Sequence, residues 1–295
     1  MKRVLITGAN SYIGMSFEKW MAKMHPGEFE IDTVDMVGDG WREKDFAGYD
    51  VVFHVAGIAH ADVGHVTDEI KARYYEINTD LAIETAKKAK SEGVKQFVFM
   101  SSAIVYGDSA PYGKTKRITK GTEPMPANFY GDSKWQADKG IRELGNEDFV
   151  TTVLRPPMIY GRGSKGNYQK LASMAKRLPI FPDVLNERSM LYIDNLCEFL
   201  CQVMIREEGG IFWPQNAEYA RTSRMVETIA EVSGHKILVS KLFNGVVWMA
   251  SHIPGKLSRL TNKAFGNMSY EQNMSLYDFN YHVIDLKTSI ERTES

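Results

Sequence analysis

Short apolar runs alternate with longer helical patterns through the first half of the chain, and this alternation limits the possible folds more than any other feature. The apolar runs are rich in Val, Ile and Phe without regular polar alternation, which is typical of strands covered on both faces. Strands that alternate with helices form repeated β–α–β units around a parallel sheet. The predicted strands are 3–7, 31–34, 51–55, 96–101 and 151–155, and the predicted helices between them are 14–24, 74–90 and 130–144.

Two departures from this alternation are visible. The segment 35–50 is short and rich in glycine, so we expect a turn there in place of a crossover helix. After Pro156, loops rich in Gly and Pro precede further predicted helices at 168–177, after Ile193 and at 223–233. The pattern of residues 189–205 indicates that the chain returns there to the first domain, so the two domains are expected to be interleaved in sequence.

We therefore predict an α/β fold with a doubly wound parallel sheet of the Rossmann type and a smaller α/β C-terminal lobe. The first domain, which would bind a dinucleotide, is expected at 1–158 and 186–214. The second, which would bind the substrate, is expected at 159–185 and 215–295.

Charge and cysteine content argue against several classes of partner. Lys and Arg number 36 against 37 Asp and Glu, so the chain as a whole has no bias toward nucleic acid or anionic lipid. Cys197 and Cys201 stand four residues apart in an apolar stretch, which predicts core residues rather than a disulfide or zinc framework. The first residues run straight into an apolar strand without a signal segment, so we expect a cytoplasmic protein with no membrane or nucleic-acid partner.

The most apolar late stretch, 242–253, is interrupted by polar residues and is too short to cross a bilayer. Its amphipathic pattern favours a packed helix. A helix that lies on a membrane surface or on a partner protein is the alternative.

A glycine-rich turn, 7–14, directly follows the first predicted strand and opens the first helix. In such a turn, backbone N–H groups and the positive end of the helix can approach a pyrophosphate closely. Asp35 ends the second strand, where its carboxylate would bind the adenosine ribose and repel the extra phosphate of NADP. Alternatively, it only ends the strand. We predict NAD, with NADP as an alternative, and cofactor contacts from Gly8, Asn10, Ser11, Tyr12, Ile13, Gly14 and Asp35.

Tyr130 and Lys134 stand four residues apart, which places them on one face of a helix. The ammonium, together with a positive nicotinamide ring, would lower the pKa of the phenol from about 10 and let it exchange a proton with a substrate hydroxyl. This spacing is also common on helix surfaces. Here, however, it follows the strand 97–101, which ends in two serines.

Together these motifs resemble the extended short-chain dehydrogenases/reductases of the NAD-dependent epimerase/dehydratase family. One departure is Ser11, which stands where the family usually has a glycine. The resemblance implies a catalytic set of Ser102, Tyr130 and Lys134, with Ser102 bonded to the reacting oxygen and Ser101 as the competing serine. It also implies further cofactor contacts from Val55, Ala56, Gly57, Asn78, Tyr130, Lys134 and Pro156.

Members that act on nucleoside-diphosphate sugars bind the pyrophosphate with an asparagine after a glycine-rich loop and with an arginine, and Asn167 and Arg188 match these positions. A guanidinium can grip phosphate oxygens in a bidentate way, although Arg188 could also be a surface arginine. Met158 stands where sugar epimerases usually have asparagine. The resemblance thus implies a substrate site of Ser102, Met158, Asn167 and Arg188.

The spacing of His60, Asp62 and His65 fits neither a pair of zinc ligands on a helix nor a zinc-binding loop. We therefore expect these residues in a loop that lines the sugar pocket, and no metal.

Three functions remain open from the sequence. The first is a UDP-sugar 4-epimerase, which Asp35 favours through its preference for NAD. The second is an NAD(P)H-dependent 4-ketoreductase of a UDP-6-deoxy-4-keto-amino sugar, which Met158 favours and which would serve polysaccharide biosynthesis. The third is a non-catalytic regulator that senses a dinucleotide. In many relatives the helices that match 74–90 and 130–144 form the subunit interface, so we expect a homodimer.

Overall fold

The computed structural model describes residues 1–59 and 66–295. The strands, in chain order, are β1 (Lys2–Thr7), β2 (Phe29–Val34), β3 (Val51–His54), β4 (Gln96–Met100), β5 (Arg117–Ile118), β6 (Val150–Leu154), β7 (Met158–Tyr160), β8 (Ile180–Pro182), β9 (Met190–Tyr192), β10 (Gly210–Phe212), β11 (Leu238–Ser240) and β12 (Ser269–Tyr270). The α-helices are α1 (Tyr12–Met24), α2 (Asp68–Tyr75), α3 (Leu81–Ser91), α4 (Phe129–Arg142), α5 (Asn167–Ala175), α6 (Ile193–Ile205), α7 (Thr222–Val232), α8 (Asn244–His252), α9 (Lys256–Phe265) and α10 (Leu286–Glu294).

Six of the strands form one parallel sheet, in the order β2–β1–β3–β4–β6–β10. This confirms the predicted α/β fold, and the five predicted strands are β1, β2, β3, β4 and β6. The sequence pattern missed β10, which is three residues long and begins with a glycine. Shorter parallel pairs join β5 to β12, β7 to β9 and β8 to β11.

Helices cover both faces of the sheet, which is why its central strands carry continuous apolar runs. On one face, α1 contributes Phe17 and Trp20 to a core shared with Leu200 of α6. On the other face, Ala86 of α3 and Ile141 of α4 pack against the same strands. α6 lies against α1, so the run 189–205 does return to the sheet as predicted. Both cysteines of α6 are free and fully buried, which confirms them as core residues.

The chain reverses its direction of progress across the sheet at β1, which lies between β2 and β3. Between β2 and β3 only a single turn of 3-10 helix, Gly40–Arg42, replaces the usual crossover helix, as the glycine content predicts. In open parallel sheets a ligand crevice forms outside the carboxyl ends of the strands at such a switch point. The carboxyl ends of β1 and β3, at Thr7 and His54, are paired directly.

The predicted helix 74–90 differs from the structure. It is divided into α2, a π-helical segment Glu76–Asp80 and α3. The helix begins earlier than predicted because the hydroxyl of Thr67 caps α2 by accepting from the backbone N–H of Ile70 at 3.4 Å. The π-helical segment is a single-turn bulge of the kind often found at functional sites.

The expectation of a packed helix at 242–253 holds only in part, because α8 packs against α9 but is otherwise largely exposed. α8 buries only Val247 and Ser251, and most of its other side chains are exposed. Within residues 1–59 and 66–295, no helix combines the length and apolarity needed to cross a membrane.

Candidate active site

The turn after β1 forms a cradle of backbone donors. Gly8 has φ of +114° and approaches the backbone so closely that a Cβ at this position would lie 2.8 Å from the nitrogen of Ala56. Ser11 caps α1, because its Oγ accepts from the N–H of Gly14 at 3.1 Å. Tyr12 and Ile13 occupy the first helical positions, where N–H groups have no acceptor within the helix. This explains how serine replaces the usual glycine and leaves two donors for a phosphate.

Asp35 lies beside this turn, because the N–H groups of Gly8 and Ala9 both donate to the carbonyl of Val34. One oxygen of its exposed carboxylate accepts from the N–H of Val37 at 3.0 Å. The other has no hydrogen-bond partner among the residues that the structure describes. Asp35 therefore does end its strand with a local turn, and still offers an acceptor next to the cradle.

A second turn, after β3, closes the cradle. The N–H groups of Val55 and Ala56 donate to the carbonyl of Thr7 at 3.1 and 2.9 Å. Asn78, which is predicted to contact the cofactor, is fully buried in the chain alone. Its side chain bonds the N–H and carbonyl of Ile58 at 2.9 and 3.0 Å and the hydroxyl of Ser133 at 3.2 Å. It therefore positions this turn against α4, and its polar atoms are already used.

Both turns open into one cleft of about 360 Å³ that also contains the predicted catalytic residues. Tyr130 and Lys134 of α4 face it together with Ser102, which follows β4. The predicted site residues that line the cleft are Ser11, Tyr12, Ile13, Val55, Gly57, Ser102, Tyr130, Lys134, Pro156, Met158 and Asn167. The enzyme interpretation required Tyr130 and Lys134 to face this crevice, and they do.

The two serines after β4 have different environments. The hydroxyl of Ser101 donates to the fully buried carboxylate of Asp138 at 2.9 Å. The side chain of Ser102 hydrogen-bonds the phenol of Tyr130. This bond lowers the pKa of the phenol, whereas burial raises it. The structure thus places Ser102 with the phenol and gives Ser101 a structural bond.

The sequence analysis expected a lowered pKa for Tyr130, but in the chain without cofactor this pKa is raised. Burial raises the pKa of this phenol to about 12, although the hydrogen bond with Ser102 acts in the opposite direction. Burial also lowers the pKa of Lys134 to about 8. Its Nζ donates to the carbonyl of Met100 at 3.0 Å. The sequence argument counted the attraction of the ammonium and omitted the desolvation of both groups, which is the larger effect here.

Arg155 connects the catalytic helix to the strand that precedes Pro156. Its guanidinium donates twice to Asp138, each time at 2.9 Å, and once to the hydroxyl of Tyr106 at 2.8 Å. Arg142 donates to the same carboxylate at 2.9 Å. These bonds fix the end of β6 relative to α4 and therefore the position of Pro156 beside the cleft.

The cleft is lined by two residues with buried hydroxyls, Tyr12, which the sequence analysis selected as a cofactor contact, and Ser164, which it did not select. The hydroxyls of Tyr12 and Ser164 are buried and have no hydrogen-bond partner within the described part of the chain. Buried polar groups are rarely left unpaired, so both are available to a ligand in the cleft. Ser164 and Lys165 lie in a glycine-rich loop, 161–166, whose three glycines all have positive φ. That cluster of glycines was the signal for this part of the site.

Arg188 lies in a small adjoining pocket of about 50 Å³ that shares Pro157 and Met158 with the main cleft. It is half-buried, and burial lowers the pKa of its guanidinium. It forms no ion pair with any residue in 1–59 or 66–295, and its one side-chain bond is to the carbonyl of Lys263, at 2.6 Å. A cation without a carboxylate beside the cleft suits an anionic ligand better than a surface role. His60, Asp62 and His65 lie outside the described residues.

The residues fit a nicotinamide dinucleotide. The free N–H groups at the start of α1 match a pyrophosphate, and the contact between Gly8 and Ala56 leaves no space there for a side chain. A tyrosine, a lysine and a serine then line the cleft at the switch point of a parallel sheet. These features define an enzyme of the short-chain dehydrogenase/reductase class.

The comparison with family models agrees with this class. Residues 4–213 match the NAD-dependent epimerase/dehydratase family, and the chain belongs to that family. The chain is therefore an enzyme with a nicotinamide dinucleotide cofactor. The interpretation as a non-catalytic regulator is accordingly not retained.

Individual relatives are more distant. The chain is 28% identical to a UDP-glucose 4-epimerase of Vibrio cholerae, over 78% of this chain and 75% of that protein. It is also 28% identical to an N-acetyl-alpha-D-glucosaminyl-diphospho-ditrans,octacis-undecaprenol 4-epimerase of Escherichia coli O157:H7, over 67% of this chain and 61% of that protein. Among solved structures, a dTDP-4-dehydrorhamnose reductase of Clostridium acetobutylicum superposes with a TM-score of 0.73 at 18% identity, over 99% of this chain and 98% of that one. The last likeness concerns the fold alone.

The desolvation of Lys134 predicts a gain in stability when its charge is removed. We expect Lys134→Met to raise the free energy of unfolding of the cofactor-free protein at neutral pH by about 2 kcal/mol. The folded pKa of about 8 lies below the ordinary value of 10.5. Between these values the unfolded chain binds a proton that the folded chain lacks, so wild-type stability rises with pH across this window. In Lys134→Met this rise is absent. Urea denaturation at a series of pH values measures both.

The exposed Lys139 on the same helix provides the control. Lys139→Met should leave stability within about 0.5 kcal/mol of wild type. A Lys134→Met protein less stable than wild type at neutral pH would contradict the assignment of an unfavourable buried charge.

Proposed function

We propose that the chain is a 4-epimerase of UDP-sugars, in which NAD stays bound between turnovers. The observation that supports this most is the cleft shared by the cofactor turn, Ser102, Tyr130 and Lys134. In that arrangement one phenol stands where a sugar hydroxyl can meet it beside the cofactor. The bound NAD supplies the chemistry of accepting a hydride and returning it.

The side chains of the cleft have separate roles in this proposal. The Tyr130 hydroxyl exchanges a proton with the hydroxyl at C4 of the sugar, and Ser102 hydrogen-bonds the same oxygen. Lys134 is fixed by the carbonyl of Met100 at 3.0 Å and carries the positive charge of the site when protonated. A positive charge favours the ionised phenol and therefore opposes the effect of burial on Tyr130.

The substrate diphosphate would be held at the far end of the cleft. Asn167 begins α5 and lines the cleft, and Arg188 lies in the adjoining pocket without a carboxylate partner. We propose that these two side chains bind the diphosphate, with the hydroxyls of Tyr12 and Ser164 free to bond the ligand. The cofactor would occupy residues 1–158 and 186–214, and the sugar 159–185 and 215–295. A homodimer through α2, α3 and α4, in the cytoplasm, completes the proposal.

A second candidate is an NAD(P)H-dependent 4-ketoreductase of a UDP-6-deoxy-4-keto-amino sugar. The specific observation in its favour is Met158, which lines both the cleft and the pocket of Arg188. A thioether at that position gives the sugar an apolar contact where sugar epimerases usually have an amide. The likeness of the fold to a 4-dehydrorhamnose reductase is compatible with this candidate.

Incubation of the purified protein with UDP-glucose or UDP-N-acetylglucosamine, without added cofactor, tests the proposal. We expect the C4 epimer to accumulate, as measured by NMR of the sugar protons, because the tightly held NAD is regenerated in each turnover. If the protein instead converts a 4-keto sugar nucleotide only when NADH or NADPH is supplied in stoichiometric amount, the epimerase proposal is wrong and the reductase is supported.

A further inference from the structure

α8 and α9 form a helical hairpin with a wide apolar surface. Five of its side chains, together with Leu242 in the turn just before α8, are large and apolar and are each at least 50% exposed. We call them the hairpin surface: Leu242, Val246, Trp248, Met249, Leu257 and Leu260. A group of large, exposed apolar side chains on two helices that pack together points to an interaction site rather than an ordinary protein surface.

The hairpin holds this surface in place. The two helices pack together, and the hydroxyl of Ser258 donates to the carbonyl of Ser251 at 2.8 Å. Asn244 donates to the carbonyl of Asp183 at 2.9 Å, and the N–H of Tyr112 donates to Asn262 at 2.9 Å. α8 turns Val247 and Ser251 toward the protein. Its apolar remainder therefore faces outward on a hairpin that is anchored at both helices.

The charge of this segment identifies its partner. Between Val232 and Tyr270 the sequence has four lysines and one arginine, and no aspartate or glutamate. The rest of the chain has 31 Lys and Arg against 37 Asp and Glu, so the near-neutral total conceals a local positive excess. Lys241, Arg259 and Lys263 form no ion pair with a residue in 1–59 or 66–295. An apolar surface bordered by unpaired cations matches a bilayer that contains anionic lipids.

The tryptophans agree with this match. Of the five in the chain, Trp248 is 56% exposed and the other four are buried or half-buried. Tryptophan is enriched where one side of a residue meets the apolar interior of a membrane and the other meets water. The indole of Trp248 lies on the hairpin surface against the ring of His252, with ring centroids 4.5 Å apart.

We propose that the hairpin surface docks on the headgroup region of a membrane that contains anionic phospholipid, with α8 and α9 in the plane of the interface. The six apolar side chains enter the acyl boundary, and Lys241, Arg259 and Lys263 meet the lipid phosphates. This replaces the expectation, drawn from total charge, that the chain has no membrane partner.

The docked surface is coupled to the proposed substrate site. Lys263 near the end of α9 accepts, through its carbonyl, the hydrogen bond from Arg188 at 2.6 Å. Arg188 therefore lies within one contact of the membrane-facing helix. A sugar diphosphate at the membrane surface would meet this guanidinium at the mouth of the cleft. The docking proposal is the same whether the enzyme is an epimerase or a ketoreductase.

Co-sedimentation with lipid vesicles tests the proposal. The full chain should bind vesicles of phosphatidylglycerol mixed with phosphatidylcholine, bind pure phosphatidylcholine much less, and lose binding as salt rises. On the mixed vesicles, the tryptophan fluorescence of the wild type should shift to shorter wavelength, and the shift should be absent from the variant that lacks Trp248. The double variant Trp248→Ser/Leu257→Ser should lower the partition coefficient by at least about tenfold.

Leu276→Ser is the matched control, because Leu276 is 66% exposed and lies outside the hairpin. It should bind vesicles like the wild type. The proposal is overturned if the wild type binds neither vesicle, if it binds both equally, or if the hairpin variant binds as well as the control. It is also overturned if the hairpin variant only dissociates a dimer in light scattering, since a second copy of the chain would then cover the surface.

Turnover of a water-soluble UDP-sugar is measured on the same proteins and should be unchanged in the hairpin variant. The two proposals can therefore fail separately. If the protein is active but does not bind vesicles, only the docking proposal is wrong. If it binds vesicles but does not convert any UDP-sugar, only the proposed reaction is wrong.

Discussion

Turnover of the Tyr130→Phe variant is expected to fall by about 10²–10⁴-fold, which is the usual contribution of a positioned proton-transfer group. The change removes one oxygen from the cleft and keeps the ring, whose edge-to-face contact with Tyr74 has a centroid distance of 5.9 Å. Cofactor binding should persist, because the phosphate donors belong to the turn after β1. Initial rates at saturating sugar, together with the amount of cofactor bound, measure the two effects separately.

Tyr75→Phe is the matched control for the loss of a tyrosine hydroxyl. The Tyr75 hydroxyl donates to Asp132 at 2.8 Å and does not line the cleft. Its removal should leave turnover within about threefold of wild type, in line with the small effect of most changes away from a site. Turnover of Tyr130→Phe within this range, with cofactor still bound, would exclude Tyr130 as the proton-transfer group.

Asp138→Ala is expected to lower the free energy of unfolding by about 3–5 kcal/mol, because removal of one partner leaves a buried charge without compensation. The carboxylate is fully buried and accepts two bonds from Arg155 and one each from Arg142 and Ser101. After its removal Arg155, which is 3% exposed, retains only its bond to Tyr106. Urea denaturation followed by circular dichroism measures the loss.

An exposed ion pair gives the comparison. Asp278 meets Arg206 at 3.3 Å at the surface, and its side chain is 74% exposed. Asp278→Ala should therefore change stability by less than about 1 kcal/mol. If Asp138→Ala were as mild as Asp278→Ala, the buried network would not hold β6 to α4 as described.

Local patterns predicted the parts of the molecule that local chemistry determines. The first five sheet strands follow from apolar runs, and the cofactor turn follows from glycines placed between a strand and a helix. Tyr130 and Lys134 meet in the cleft because a spacing of four residues on a helix fixes one face. None of these inferences needs knowledge of distant contacts.

The errors concern properties that depend on the folded molecule. The raised pKa of Tyr130 depends on burial, which spacing does not reveal. Spacing also does not reveal that Asn78, which stays a predicted cofactor contact, lies in a π-helical segment where its amide bonds Ile58 and Ser133. The strand β10 exists because β6 offers an edge to it, and α8 stays largely exposed although it packs against α9.

Tyr130, Lys134 and Asp138 occupy successive turns of α4, while Met158, Ser164 and Asn167 belong to the segment that follows β6. Tyr130 and Lys134, which are proposed to handle the proton, thus share one helix, and the residues proposed to contact the substrate after β6 lie on a separate segment of the chain. Exchange of residues 158–167 between relatives should accordingly alter which sugar is accepted without rebuilding the chemistry. A scaffold divided in this way can acquire new substrates by altering a single short region.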